Sequence, residues 1–299
     1  MECRYIGLFS IILHRGDFFM KKILALLLAV VICASMVGCG EKAEDVSASA
    51  QTTFTGELEG ALKDYTFKVG TSGTYAPFSY FDADGKTLIG FDMDFMKELQ
   101  DLLGFKLDGS VQAMDYSPLT TSVAEGKLDF AMAALCATDT RKKVMNFTTT
   151  YYNAGLTVIV NKDTSPKEIT GWDSIKDGKY KIAVQKGDAS HLYATNNGIP
   201  NSSLEVHDSI ITAYEALEQG KVDCMIFDAP GTAYYITHKE GSKLEMVGEQ
   251  FSKDQSPYAI ALSFDVCKKN PQLLSIFNAA IDKLTKDGKM AEIEKKWCK

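Results

Sequence analysis

Histidine is scarce: four residues in 299, His14, His191, His207 and His238, scattered and in no HExxH or Cys/His arrangement. CxxC pairs are missing too, so a structural zinc site is not expected. The sequence has no GxSxG, Walker or GxGxxG motif. Nothing therefore points to a nucleophile elbow, a phosphate loop or a dinucleotide fingerprint, and no cofactor is implied. Basic charge is in deficit, with Lys plus Arg 32 against Asp plus Glu 39, a net charge of −7 and a pI near 5.2. A chain short of cations neutralises phosphates poorly, so nucleic acid is not an expected partner. What is present suits a folded protein: 45% apolar and 24% charged residues. That composition excludes collagen, coiled coil or disorder for the whole chain. The length fits one large domain or two medium ones.

The segment 20–39, MKKILALLLAVVICASMVGC, has a charged start at Lys21 and Lys22, an apolar stretch from Ile23 to Ala34, and small residues before Cys39. That is the layout of an export signal, and the apolar run is short for a membrane span, which wants ~20 residues. MVGC resembles a bacterial lipobox with Met36 in place of the usual Leu, which implies lipid on Cys39 and loss of everything before it. Residues 1–19 precede a complete signal and are expected to be a mis-assigned extension, with Met20 as the start. The polar, small-residue stretch 40–63 is expected to be a tether between lipid and domain. Of the remaining cysteines, Cys224 lies in an apolar run and suits the core. Cys267 and Cys298 flank the C-terminal helices and are candidates for a disulfide in an oxidising compartment.

From residue 65 the pattern alternates between strand and helix. Strands are expected at 65–71, 78–81, 106–114 and 128–135, with helices at 91–103, closed by Gly104, and 119–125, closed by Gly126. The alternation restarts with strands at 180–185, 204–206 and 222–227 and helices at 190–196 and 209–218. A strand at 258–263 and helices at 270–286 and 289–297 follow. This order implies an α/β fold with a largely parallel sheet. One motif occurs twice: Ala124-Glu-Gly-Lys-Leu-Asp129 before FAMAAL, and Glu218-Gln-Gly-Lys-Val-Asp223 before CMIF. Glycine after the helix takes the left-handed conformation and lysine complements the helix C-terminus. The spacing suits two similar α/β lobes better than a solenoid, although a common helix–strand connection used twice by chance would look the same.

Four clusters suit a small zwitterion. Thr138-Asp139-Thr140-Arg141 follows a buried strand; Thr138 or Asp139 can cap the next helix, and Arg141 can fork onto a carboxylate. Asp228 ends a buried strand before Pro230, as either a plain helix cap or a cleft carboxylate for an ammonium group. Tyr75 and Tyr116 sit in loops after strands, where rings wall pockets at the carboxyl edge of an α/β sheet; Phe78 is expected in the core. Lys186-Gly187-Asp188-Ala189-Ser190 turns from strand to helix and can offer N–H groups to an anion, although Asp188 would oppose that charge.

Together these clusters resemble the amino-acid-binding proteins of bacterial ABC importers, solute-binding proteins of family 3 with the type II periplasmic-binding fold. The residues that carry the resemblance are GTSGTYAPFSY (70–80), GFDMDFMKEL (90–99), MDYSPLTTSVAEGKLDFAMA (114–133), ATDTRKKVMNFTTTYYNAG (137–155), VQKGDAS (184–190) and GKVDCMIFDAP (220–230). The resemblance implies two lobes, 64–151 with 257–299 and 155–253, joined by crossover strands near 151–155 and 252–257. It places the carboxylate-binding arginine on Arg141, the ammonium-binding aspartate on Asp228 and the ring-stacking aromatics on Tyr75 and Tyr116. A backbone and hydroxyl pair falls on Ala134 and Cys136, and the second-lobe turn on Gly187, Ala189 and Ser190. Three departures stand out: Cys136 where Ser or Thr is usual, Ser72 where relatives binding glutamine or basic amino acids carry an acid, and Asp188 where Thr is common. The implied protein is a monomer outside the cytoplasmic membrane that captures a polar or uncharged α-amino acid by hinge closure and passes it to permease subunits. The alternative is an exported enzyme on the same fold, similar to prephenate or arogenate dehydratases, which would need a general acid in the cleft.

Overall fold

The protein is described here from a computed structural model, which covers residues 53–253 and 257–298. The signal, the proposed lipid site Cys39, the first part of the tether and the centre of the second crossover lie outside these residues. No described helix is long and apolar enough to cross a membrane.

Two five-stranded sheets share one plan. The first runs Gln112–Ala113, Val69–Thr71, Phe130–Ala131, Ala261–Leu262, Asn146–Phe147. Its first three strands are parallel, and Ala261–Leu262 enters antiparallel to both neighbours. The second runs Leu204–His207, Ile182–Gln185, Cys224–Asp228, Leu156–Asn161, Leu244–Phe251, again parallel on one side and antiparallel on the other. Between the sheets the chain crosses twice, and the crossovers pair with each other: Tyr152 lies opposite Tyr258 and Asn153 opposite Pro257. A two-lobed α/β molecule on two connecting strands results, the fold class the resemblance implied; the sheet expected to be largely parallel is instead two mixed sheets, each with two parallel and two antiparallel pairings.

The repeated motif does the same work in each lobe. Gly126 and Gly220 sit at φ +69° and +64°. The following lysine N–H reaches back over the helix end, Lys127 to Ser122 O at 2.9 Å and Lys221 to Ala216 O at 2.9 Å. This is a Schellman cap. Each aspartate then ties its strand to the next. Asp129 accepts from the Lys68 N–H at 2.7 Å and Asp223 from the Lys181 N–H at 2.8 Å. Identical geometry in both places makes the echo architectural.

The helix Phe91–Leu103 forms where expected, because Phe91, Phe95, Leu99 and Leu103 share its buried face and Gly104 ends it at φ +79°. Other expectations need correction. Residues 106–114 do not form one strand: Lys106–Leu107 pairs with Thr66–Phe67, and Gln112–Ala113 joins the main sheet. Gly109 at φ +79° turns the chain between them. Residues 128–135 are buried almost throughout, yet only Phe130–Ala131 pair as a strand. Apolarity reports burial and not ladder pairing. The helix expected at 119–125 begins earlier, at Tyr116, since Pro118 is tolerated in a first turn. The strand expected at 258–263 divides into Pro257–Tyr258 and Ala261–Leu262. Tether behaviour also ends before residue 63: Leu62 is buried, and its N–H donates to Leu103 O at 2.7 Å. Cys267 and Cys298 are both thiols. The first lies against Asn146 and the second against Tyr152, so they do not pair.

If each left-handed cap holds its own lobe, Gly126→Ala and Gly220→Ala should each cost ~1–2 kcal/mol in urea unfolding. The double variant should lose the sum, because the caps share no partner.

Candidate functional site

The cleft between the lobes is walled by Ser72, Thr74, Tyr75, Tyr116 and Ala134 from one side and Gln185, Asp188, Ala189, Phe227 and Asp228 from the other. Its cavity is about 10 Å³, room for about one water. The lobes are closed on one another, and anything larger than a water enters only when they part.

Arg141 stands on the one-turn helix Asp139–Lys142, whose cap is Thr138. Thr138 Oγ1 accepts the Arg141 N–H at 3.4 Å, while Asp139 faces solvent and pairs with Lys142. This helix is too short to offer an anion site of its own. The guanidinium bridges the lobes: Nη1 donates to Cys136 O at 2.8 Å and Nη2 to Gly187 O at 2.6 Å. It lies 5.1 Å above the Tyr116 ring, a cation–π contact.

Asp228 faces it from the end of the strand Cys224–Asp228. Its side chain does not cap the helix Ala229–His238. Oδ2 accepts from Tyr258 Oη at 2.6 Å; Tyr75 Oη lies 2.8 Å from Tyr258 Oη and 3.4 Å from Oδ2, and its single proton serves one of the two. Oδ1 is buried with no hydrogen-bond partner among the described residues. A buried carboxylate oxygen without a donor is costly. Burial pushes the Asp228 carboxyl up to about 6, against the pull of the tyrosine hydroxyls and Arg141.

Tyr75 crosses from the first lobe and seats its ring on Gly231, where an added Cβ would lie 2.1 Å from Cε2. Ser72 spends its hydroxyl on Ser79 at 3.0 Å. Ala134 sits at φ +49°, and its N–H donates to Asp92 Oδ2 at 2.8 Å, so it is not offered to the cleft. Cys136 presents its carbonyl to Arg141 and bridges to Tyr258. Gly187 gives its carbonyl to Arg141 and its N–H to His191 Nδ1. Ser190 is wholly buried and donates to Asp188, so its hydroxyl does not line the cleft. Seven of the ten expected residues therefore wall the cavity or, in Arg141's case, close over it. Cys136 and Gly187 act through their carbonyls, and Ser190 turns away.

Four residues were not anticipated from the sequence: Tyr258, Asp92, Thr74 and Gln185. Tyr258 lies between a proline and an apolar run and reads as core. Asp92 carried a signal, since an acid on the apolar face of an amphipathic helix demands a partner. Its Oδ1 accepts from Tyr151 Oη at 2.7 Å and its Oδ2 from Ala134, linking a crossover to the cleft loop.

Two closing lobes with opposed buried charges between them define a two-lobed binding protein of the type II periplasmic-binding fold. Residues 67–299 match the bacterial extracellular solute-binding proteins, family 3, and the chain belongs to that family. The L-cystine-binding protein TcyJ of Escherichia coli K12 is 28% identical over 232 residues, 78% of this chain and 82% of that protein. The L-cystine-binding protein TcyA of Bacillus subtilis is 27% identical over 280 residues, 93% and 97% of the two chains. Among solved structures, an ancestral arginine-binding protein bound to arginine superposes with a TM-score of 0.68 at 29% identity, covering 80% of this chain and 99% of that one. The ancestral amino-acid-binding protein AncCDT-1, a precursor of cyclohexadienyl dehydratase, gives 0.66 at 29%, covering 79% and 96%.

Two outcomes test this geometry. Gly231→Ala should hold the lobes apart by wedging Tyr75, while the helix itself gains up to about 1 kcal/mol from alanine. Small-angle scattering should show a larger radius of gyration than wild type, and equal radii contradict the contact. Asp228→Asn removes a charge whose folded pKa lies above the unfolded value of about 3.9. The charge therefore weakens the fold increasingly from about pH 4 to about 6 and fully above that. The variant should melt higher than wild type at pH 8, with the gain shrinking as pH falls toward 4.

Proposed function

We propose that this chain captures an α-amino acid, polar or uncharged overall, outside the cytoplasmic membrane and delivers it to the permease of an ABC importer. The observation that carries the proposal is Asp228: a buried carboxylate with one oxygen lacking a donor, facing a buried arginine across the lobe junction. The ligand ammonium would take Oδ1 of Asp228, and its carboxylate would replace the carbonyl partners of Arg141. Tyr75 and Tyr116 would flank its side chain beside Ser72, Thr74 and Gln185. Only the closed state engages both charged ends, so binding favours closure by that differential contact. Ser72 supplies no negative charge for a basic side chain, which supports an uncharged ligand. The names of the two cystine-binding relatives make L-cystine the first ligand to try. Lipid on Cys39 would hold the monomeric protein at the membrane.

Calorimetric titration of the 40–299 protein with the twenty amino acids and L-cystine tests this proposal. One ligand should bind tightly, and Arg141→Ala should lose about 3–5 kcal/mol, more than a hundredfold in affinity. Affinity should also fall as pH drops below about 6, because Asp228 must be ionised to hold an ammonium group. Absence of binding across the panel, or turnover of prephenate or arogenate, overturns the proposal in favour of another solute or a dehydratase.

A further inference from the structure

The cleft holds more negative than positive charge. Arg141, Asp188 and Asp228 are 6%, 5% and 6% exposed, so one cation and two carboxylates share one closed, nearly dry space. Asp188 caps the helix Ala189–Asn196 from the second lobe and lines the cavity. Its Oδ1 accepts from the His191 N–H at 2.8 Å. The Ser190 hydroxyl lies 2.8 and 2.9 Å from the two oxygens, and its single proton serves one of them. Oδ2 therefore keeps a lone pair that can take a proton.

Among the described residues no neighbour supplies the missing positive charge. From the helix Tyr116–Ala124 and the helix Ile210–Glu218, Asp188 faces Tyr116 and Tyr214, both neutral phenols with raised pKa. Asp228 adds repulsion from the strand end, and Arg141 is the one cation facing Asp188 among the described residues. His191, on the capped helix, accepts the Gly187 N–H at Nδ1, and burial lowers its pKa. Lys186 is exposed and pairs with Asp208, and Lys142 pairs with Asp139. A zwitterion brings one charge of each sign and leaves the imbalance in place. Its carboxylate, drawn to Arg141, comes to rest beside the Gly187–Asp188 turn that Arg141 already touches.

We infer that a zwitterionic ligand enters this cleft together with one proton, taken from solvent onto Oδ2 of Asp188, which then donates to the ligand carboxylate. This rests on the amino-acid reading above. Asp188 thereby becomes a specificity residue: it disfavours bare anions and makes capture tighter in acid surroundings. Geometry and charge carry the inference. Burial in the closed cleft also pushes the Asp188 carboxyl up to about 7, so closure itself favours the proton near neutral pH.

The test is calorimetry on the 40–299 protein with the tightest binder among the twenty amino acids and L-cystine. Titrations at pH 8.0 in phosphate and in Tris, which differ in ionisation enthalpy, count the protons exchanged. Wild type should take up about one proton per ligand, and its affinity should fall about tenfold per pH unit above pH 7.5. Asp188→Asn keeps a good helix cap and is neutral at every pH. It should take up about one proton fewer than wild type, lose affinity far less steeply than wild type from pH 7.5 to 8.5, and outbind wild type at the upper end. Loss of the ligand ammonium at high pH affects both proteins alike and cancels in the comparison. Binding without proton uptake, or equal uptake by the variant, overturns the inference and leaves the amino-acid reading intact. Failure of every amino acid to bind overturns both.

Discussion

Two opposite charges buried at the lobe junction, each held by neutral partners, are the constraint on which the rest depends. Asp228 and Arg141 are each more than nine-tenths buried, and neither is satisfied within its own lobe. Arg141 borrows a carbonyl from Gly187 in the opposite lobe, and Asp228 borrows hydroxyls from Tyr75 and Tyr258. These loans close the cleft but leave Oδ1 of Asp228 without a donor. The closed state is thus held by neutral partners that leave one buried acceptor open. A protein built only for stability would have placed apolar groups there.

Everything around the charges serves their placement. Two sheets of the same plan provide rigid edges, and the same Gly-Lys-x-Asp turn ties helix to strand in both. The paired crossovers run beside the cleft, so that Tyr258 on one of them reaches Asp228 directly. Asp92 couples the other crossover to the cleft loop by holding Tyr151 and the left-handed Ala134 with the two oxygens of one carboxylate. Backbone held away from its relaxed conformation near a binding site is a common form of preorganisation. Burial pushes Asp92 up to about 7, which shows how firmly that link is enclosed.

Family membership and charge balance bear on different questions. The match over residues 67–299 establishes a solute-binding protein, and the relatives bind amino acids of several kinds. The cleft lining between the two charges includes the small or neutral Ser72, Thr74 and Gln185. Asp188 gives this cleft an additional acid within reach of its arginine.

Local pattern was legible wherever local physics decides it. The period of Phe91, Phe95, Leu99 and Leu103 marked a buried helix face, and Gly104 its end. The Gly-Lys-x-Asp echo marked two lobes, and the buried strand ends pointed to Asp228 and the segment around Arg141. Short strands were overextended, because residues 128–135 are apolar for burial while only two of them pair. What tertiary structure alone decided is which groups meet. Tyr75 and Asp228 stand 153 residues apart, and Arg141 lies 46 from the Gly187 carbonyl it bonds. No periodicity encodes such pairings, since they depend on how two separately folded lobes dock. For the same reason the sequence placed Ala134 and Ser190 in the site, but only docking and packing determined that the Ala134 N–H and the Ser190 hydroxyl are committed elsewhere.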